Sequence, residues 1–212
     1  MKIDVCPLLL GHIKLDELQT GVQGDRGLFY WFVESQNKPE TDPLVLWTNG
    51  GPGCSGLAGF MTEQGPFRPT ADGKLTPNPD AWNKIANMVF IEQPAGVGFS
   101  YTHAAMNYTD DQAAKDNAAF VRGFLQMYPQ YQKNEFYITS ESYGGHYMPT
   151  LAKELSVQKG SCWSDADCSA KDDYCMDDKT KTAPYHCHSG AGFSPNFKGF
   201  MVGNPLTYMP YR

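Results

Sequence analysis

Apolar residues fall in short runs along this chain, separated by breaks rich in glycine and proline. Residues 44–47 (LVLW) and 87–92 (NMVFIE) are almost continuously apolar, the pattern of strands buried on both faces. Residues 28–34 (LFYWFVE), 136–139 (FYIT) and 197–202 (FKGFMV) are aromatic or β-branched and also read as strands. One long helical pattern covers 110–130. Ala114, Ala118, Val121, Leu125 and Tyr128 recur on one face with Phe120, Phe124 and Met127 beside them, and Lys115, Asp116, Arg122 and Gln126 fall on the other side. Asp110 and Asp111 suit its N-terminus and Pro129 marks its end, so its aromatics are core residues of a helix lying on a sheet. Alternating strands and helices predict an α/β fold with a mostly parallel sheet, whose strand-end loops converge on one edge.

Three of those loops carry candidate chemistry. The strand at 136–139 leads into Ser140, Glu141, Ser142, Tyr143, Gly144 and Gly145, and a helix-compatible segment follows at 147–154. Strand, sharp turn and helix is the setting in which a serine hydroxyl can be held out from the sheet edge as a nucleophile. Its flanks must be small because the two backbones come close. A plain serine in a tight loop fits these residues equally well. The strand at 44–47 ends in a glycine-rich loop through Asn49, Gly50 and Gly51, which could bring backbone N–H groups to a reacting oxygen or could be an ordinary turn. A second Gly/Pro loop, 93–101, follows the strand at 87–92, and 63–79 is a long, turn-rich connection.

The segment 158–194 differs in character. Cys162, Cys168, Cys175 and Cys187 stand among Asp, Lys, Ser and Gly with almost no aliphatic residues, so the segment cannot build its own core. Disulfides are the expected staples, with the pairing undetermined. Zinc is the alternative, with His186 and His188 beside Cys187, but the close Cys pair typical of zinc sites is missing. The chain thus divides into a core at 1–157, a Cys-rich insertion at 158–194 and a return to the core sheet at 195–212.

With 212 residues, the chain can hold one domain or two small ones. A net charge of -6 and the lack of any Lys/Arg cluster argue against nucleic acid or an anionic membrane as partner. No apolar run is long enough to span a membrane. Residues 1–10 carry Asp4 inside a short apolar stretch and read poorly as a signal peptide. The density of the six cysteines nevertheless points to an oxidising compartment, and Asn107 opens a glycosylation triplet that fits it.

Five stretches, in this order and spacing, resemble the serine carboxypeptidase family of the α/β-hydrolase fold: WTNGGPGCS (47–55), EQGP (63–66), QPAGVGFSY (93–101), SESYGGHYMP (140–149) and GFMVGNP (199–205). The likeness runs from Leu28 to Tyr208 apart from the Cys-rich insertion, and only the N-terminal portion of such an enzyme is represented. It implies an acid-tuned exopeptidase acting through an acyl-enzyme, in a lysosome or vacuole or outside the cell, on peptides with a free C-terminus and without a cofactor. Ser142 would be the nucleophile, and the N–H groups of Gly51 and Tyr143 the oxyanion hole. Asn49, Gly50, Glu63 and Glu141 would bind the substrate's terminal carboxylate, with Trp47 supporting them. Glutamates can face a carboxylate only if protons are shared, so binding should weaken as pH rises.

The family usually has Gly at the position of Ser140 and Ala at that of Gly144, and it cross-links a cysteine like Cys54 to a later one. The partner of Cys54 is open here, as is that of Cys6. The triad Asp and His should follow Ser142, well beyond Arg212. His12 and His103 precede the nucleophile, His146 belongs to its motif and reads as structural, and His186 and His188 lie in the insertion, so none of the five histidines is assigned as base. A later or separate segment would supply the pair, and the 212-residue chain alone is expected to show little activity. An acyltransferase of the same family, or a non-catalytic chain that depends on a partner, are the alternatives.

Overall fold

The computed structural model describes residues 8–15, 25–103, 108–157 and 195–207. In chain order these form β1 (Leu8–Lys14), β2 (Arg26–Val33), β3 (Leu44–Thr48), α1 (Leu57–Thr62), β4 (Phe67–Pro69), β5 (Leu75–Pro77), β6 (Asn87–Ile91), β7 (Tyr101–Thr102), α2 (Asp110–Met127), β8 (Phe136–Glu141), α3 (Gly144–Val157) and β9 (Phe197–Gly203). The main sheet has the order β1-β2-β6-β3-β8-β9, with β7 pairing β2. β2 runs antiparallel to both β1 and β6, whereas β6, β3, β8 and β9 are all parallel. This is the mixed, mostly parallel sheet with flanking helices of an α/β-hydrolase.

All five residues of β3 and all five of β6 are buried, as their unbroken apolar runs require. On one face α2 and α3 pack against the sheet, and Phe120, Val121, Phe124, Leu125, Met148 and Leu151 meet Leu28, Phe32, Leu46, Val89 and Ile138 there. On the other, Phe60 of α1 sits with Trp47, Phe67, Met88 and Phe90. Thr109 caps α2 by accepting the N–H of Gln112 at 3.2 Å.

Two helical positions depart from their expected sides, and one is Met127, grouped with the apolar face but exposed at the last turn. The other, Asp116, read above as facing away from the core, is fully buried. It pairs with the equally buried Arg26 of β2 at 3.2 Å and accepts the hydroxyl of Tyr108 at 2.8 Å. Arg26 stands at the start of a strand whose sequence gives no hint of a partner many residues away, so periodicity alone assigns both charges to solvent. A helix, α1, precedes the turn-rich connection and a two-stranded ribbon, β4–β5, lies within it, both too short to leave a periodic signal. β1, not foreseen, pairs along β2 from Leu8↔Val33 to Lys14↔Gly27.

Candidate active site

Only Ser142 and Tyr143 separate the last residue of β8 from the first of α3. Ser142 takes φ 53°, a left-handed conformation that non-glycine residues rarely adopt. It is held from both sides. Its N–H donates to Gly203 O at 2.9 Å, and its carbonyl accepts from Leu206 N at 2.7 Å and Gly145 N at 3.0 Å. Strain over-determined in this way is typical of a working turn, and it leaves Ser142 exposed above the sheet edge.

The glycine-rich loop after β3 lies against this turn. A Cβ on Gly50 would stand 2.6 Å from both Glu141 O and Tyr143 N, and 3.1 Å from Ser142 Cβ. Only a glycine permits that approach. Gly51 follows, with φ 112°. Among the described residues, neither the Gly51 nor the Tyr143 N–H donates to a backbone carbonyl in these loops. The loop is pinned by Tyr147 of α3, whose hydroxyl accepts the Gly53 N–H at 3.2 Å. Burial pushes that hydroxyl's pKa up to about 12.

Beside the turn, three polar residues from three elements meet. Parallel pairing of Thr48 with Ser140 sets Asn49 next to Glu141. Asn49 Oδ1 accepts from Trp47 Nε1 at 2.9 Å and from Gly59 N at 3.1 Å. That fixes the amide's orientation, and its Nδ2 donates to Glu141 Oε1 at 2.8 Å. Glu63, which caps the C-terminal end of α1, completes the group. Partial burial and then the neighbouring Glu141 raise its carboxyl above the ordinary glutamate range, while a hydrogen bond with Asn49 acts the other way. Trp47 itself is buried and backed by Trp82, ring centroids 5.7 Å apart.

The structure thus brings Trp47, Asn49, Gly50, Gly51, Glu63, Glu141, Ser142 and Tyr143 together at one sheet edge, from segments far apart in sequence. The described histidines take other partners than Ser142. His146 stacks on Tyr143 at 4.7 Å, its Nδ1 lying 3.8 Å from Asp110 Oδ2. The Tyr143 hydroxyl reaches both oxygens of Asp110 at 3.3 Å, and burial, then Asp110, raise its pKa. His12 contacts Phe99 O at 2.8 Å and His103 contacts Asp25 at 3.0 Å. Among the described residues no histidine is hydrogen-bonded to Ser142. Cys54 is exposed and has no disulfide partner among the described residues. Cys6, Cys162, Cys168, Cys175, Cys187, His186, His188 and Asn107, the acceptor of the glycosylation triplet, lie outside the described residues. Sequence reading missed Tyr147, because a tyrosine inside a helical motif carries no sign of which loop it holds.

Comparison with known proteins agrees with this geometry. Residues 11–166 match the serine carboxypeptidase family. Serine carboxypeptidase-like 44 of Arabidopsis thaliana is 38% identical over 92% of this chain and 35% of its own length. The lysosomal protective protein of Mus musculus is 54% identical over 58% of this chain and 26% of its own. In structure, a prohormone-processing carboxypeptidase from Saccharomyces cerevisiae superposes with a TM-score of 0.73 at 25% identity, covering 95% of this chain and 39% of that one. The chain therefore spans about a quarter to a third of the length of these curated relatives.

Proposed function

The chain belongs to the serine carboxypeptidase family, and from that premise we propose that it carries the nucleophile, oxyanion hole and carboxylate clamp of an exopeptidase that removes C-terminal amino acids from peptides. The observation that carries the reading is the cluster of Asn49, Glu63 and Glu141 beside Ser142. An amide donor flanked by two acids, one of them with a raised pKa, is suited to a substrate's terminal carboxylate. Asn49 donates a hydrogen bond, and protonated Glu63 donates a second.

With the carboxylate held there, the last peptide bond lies over Ser142. Ser142 Oγ attacks the carbonyl carbon as its proton passes to a base. The carbonyl oxygen takes the negative charge between Gly51 N–H and Tyr143 N–H. Collapse of the tetrahedral adduct breaks the C–N bond, and the departing amino group takes up the proton. Water then attacks the acyl-serine, passing its proton to the base, and the base hands that proton to Ser142 Oγ as the C–O bond breaks and frees the shortened peptide. The base, by family resemblance a histidine oriented by an aspartate, is not among the residues around Ser142 described here. A raised Glu63 pKa fits work in an acidic compartment such as a lysosome or vacuole.

The test is labelling by a fluorophosphonate, with the modified residue mapped, together with release of the terminal amino acid from an N-blocked dipeptide and from its C-terminal amide. Modification of Ser142 and release only from the free acid are expected for a carboxypeptidase. Equal release from the amide would overturn the clamp, and transfer of the acyl group to an added alcohol in preference to water would favour an acyltransferase. Absence of labelling in the folded 212-residue chain is the outcome expected if the base lies on another segment.

A further inference from the structure

The second glycine-rich loop, 93–101, takes no part in the chemistry above, yet it begins beside a buried acid the reaction does not use. Glu92 follows β6 and is 1% exposed. Its main chain is already in register, its N–H donating to Phe29 O at 3.0 Å and its carbonyl accepting the Ser100 hydroxyl. Its side chain does something separate. One carboxylate oxygen accepts the Ser55 hydroxyl and the other accepts the Phe99 N–H. Among the described residues its partners are these neutral donors, and no Lys, Arg or His pairs with it.

Ser55 is in the loop that carries Gly50 and Gly51. Its Oγ also accepts the N–H of Leu57 at 3.2 Å, where α1 begins on its way to Glu63. A Cβ on Gly56 would stand 1.9 Å from Ile91 O, so this end of the loop lies flush on the end of β6. The two glycine-rich loops also approach each other, Val97 Cγ2 lying 3.9 Å from where a Gly53 Cβ would be. Gly98 has φ 54°, and a Cβ there would fall 2.0 Å from Glu92 Oε1. The 93–101 loop is therefore shaped around this carboxylate.

We propose that Glu92 is a positioning residue: its buried carboxylate clips the Gly50–Gly51 loop and the start of α1 to the sheet, and the 93–101 loop forms its seat. A buried acceptor that loses a donor keeps the full cost of its desolvation, so the clip holds one geometry where a solvated contact would allow several. Both halves of the site, the oxyanion donors and Glu63, inherit that geometry. Their catalytic meaning rests on the peptidase reading, whereas the clip itself does not.

The amide of Cys54 separates the clip from a merely local contact. It donates to Gly50 O at 3.1 Å and touches neither Ser55 Oγ nor Glu92, so it reports the loop's order indirectly. Site-resolved hydrogen exchange on the full chain would compare Cys54 with Leu46 and Val89 in the sheet. In Ser55→Ala, Cys54 should exchange roughly tenfold faster while Leu46 and Val89 are unchanged, and Ser55→Thr, which keeps the hydroxyl, should restore the slow rate. Glu92→Gln, which keeps an acceptor for Phe99 N–H but replaces the other oxygen by an amino group, should act in the same direction. Unchanged exchange at Cys54 in folded Ser55→Ala and Glu92→Gln chains would overturn the proposal, and so would a rise shared equally by Leu46 and Val89. A wild-type chain with no peptidase chemistry would remove the previous reading and leave this result standing.

Discussion

Ser140 and Gly144 are fitted to each other across the turn: a Cβ on Gly144 would lie 2.2 Å from Ser140 Oγ and 2.3 Å from Ser140 Cβ. The family resemblance leads one to expect Gly and Ala at these two positions, and here the bulk has moved from the helix to the strand. Ser140 is itself 2% exposed, so it has no room to turn away. Gly144→Ala alone should destabilise the fold by about 2 kcal/mol and disturb Ser142, because the contact is with Ser140 Cβ and cannot be relieved by rotation. Adding Ser140→Gly should recover most of that loss. Urea unfolding of both single variants and the double variant gives the coupling, and additive effects would count against the fit.

The clamp makes a prediction about pH. Glu63 keeps its proton to higher pH than an ordinary glutamate of 4.5. Below the raised value it is neutral and can donate to a substrate carboxylate; above it, it is an anion beside Glu141 and repels that carboxylate. In the enzyme with its base-bearing segment present, KM for an N-blocked dipeptide should therefore rise as pH climbs through and beyond that value, by up to roughly tenfold per unit once Glu63 is mostly ionised. Glu63→Gln should flatten this limb while leaving kcat within about threefold. A KM that falls with rising pH in the wild type would reverse the assignment.

Trp47 acts on the clamp through Asn49. Trp47→Phe removes the 2.9 Å hydrogen bond but keeps an aromatic ring against Trp82. Asn49 then loses one of the two donors that fix its amide. The expected outcome is a KM roughly fivefold higher with kcat little changed, the signature of weakened ground-state binding.

Gly50 is packed directly against the Ser142 turn. Gly50→Ala would force a methyl group to within 2.6 Å of Tyr143 N. The loop must withdraw, taking the proposed oxyanion donors with it, and in the enzyme with its base-bearing segment present labelling of Ser142 by a fluorophosphonate should slow by about a hundredfold. Circular dichroism should show the fold retained, since the displaced atoms lie at the sheet edge.

The buried pair Arg26–Asp116 carries a stability prediction away from the site. Both side chains are 1% exposed. Asp116→Ala would remove a buried carboxylate that Arg26 pairs with and should cost about 3–5 kcal/mol in chemical unfolding. Replacing both residues by apolar ones of similar volume should cost less than that single change.

Much of this was legible in the chain alone. Unbroken apolar runs at 44–47 and 87–92 gave the two central strands, because a strand covered on both faces has no polar positions to alternate. Helical spacing gave α2, and small residues around Ser142 gave the turn, since steric crowding there is a property of neighbours in sequence. Tertiary structure alone decided what depends on distant segments meeting. It set Asn49 against Glu141 through the pairing of β3 with β8, buried Asp116 against Arg26, and closed Glu92 on Ser55 and Phe99. A carboxylate's letter is the same in solvent, in a clamp or in a buried clip. Its partners and its dielectric surroundings decide which it is, and both are supplied by packing.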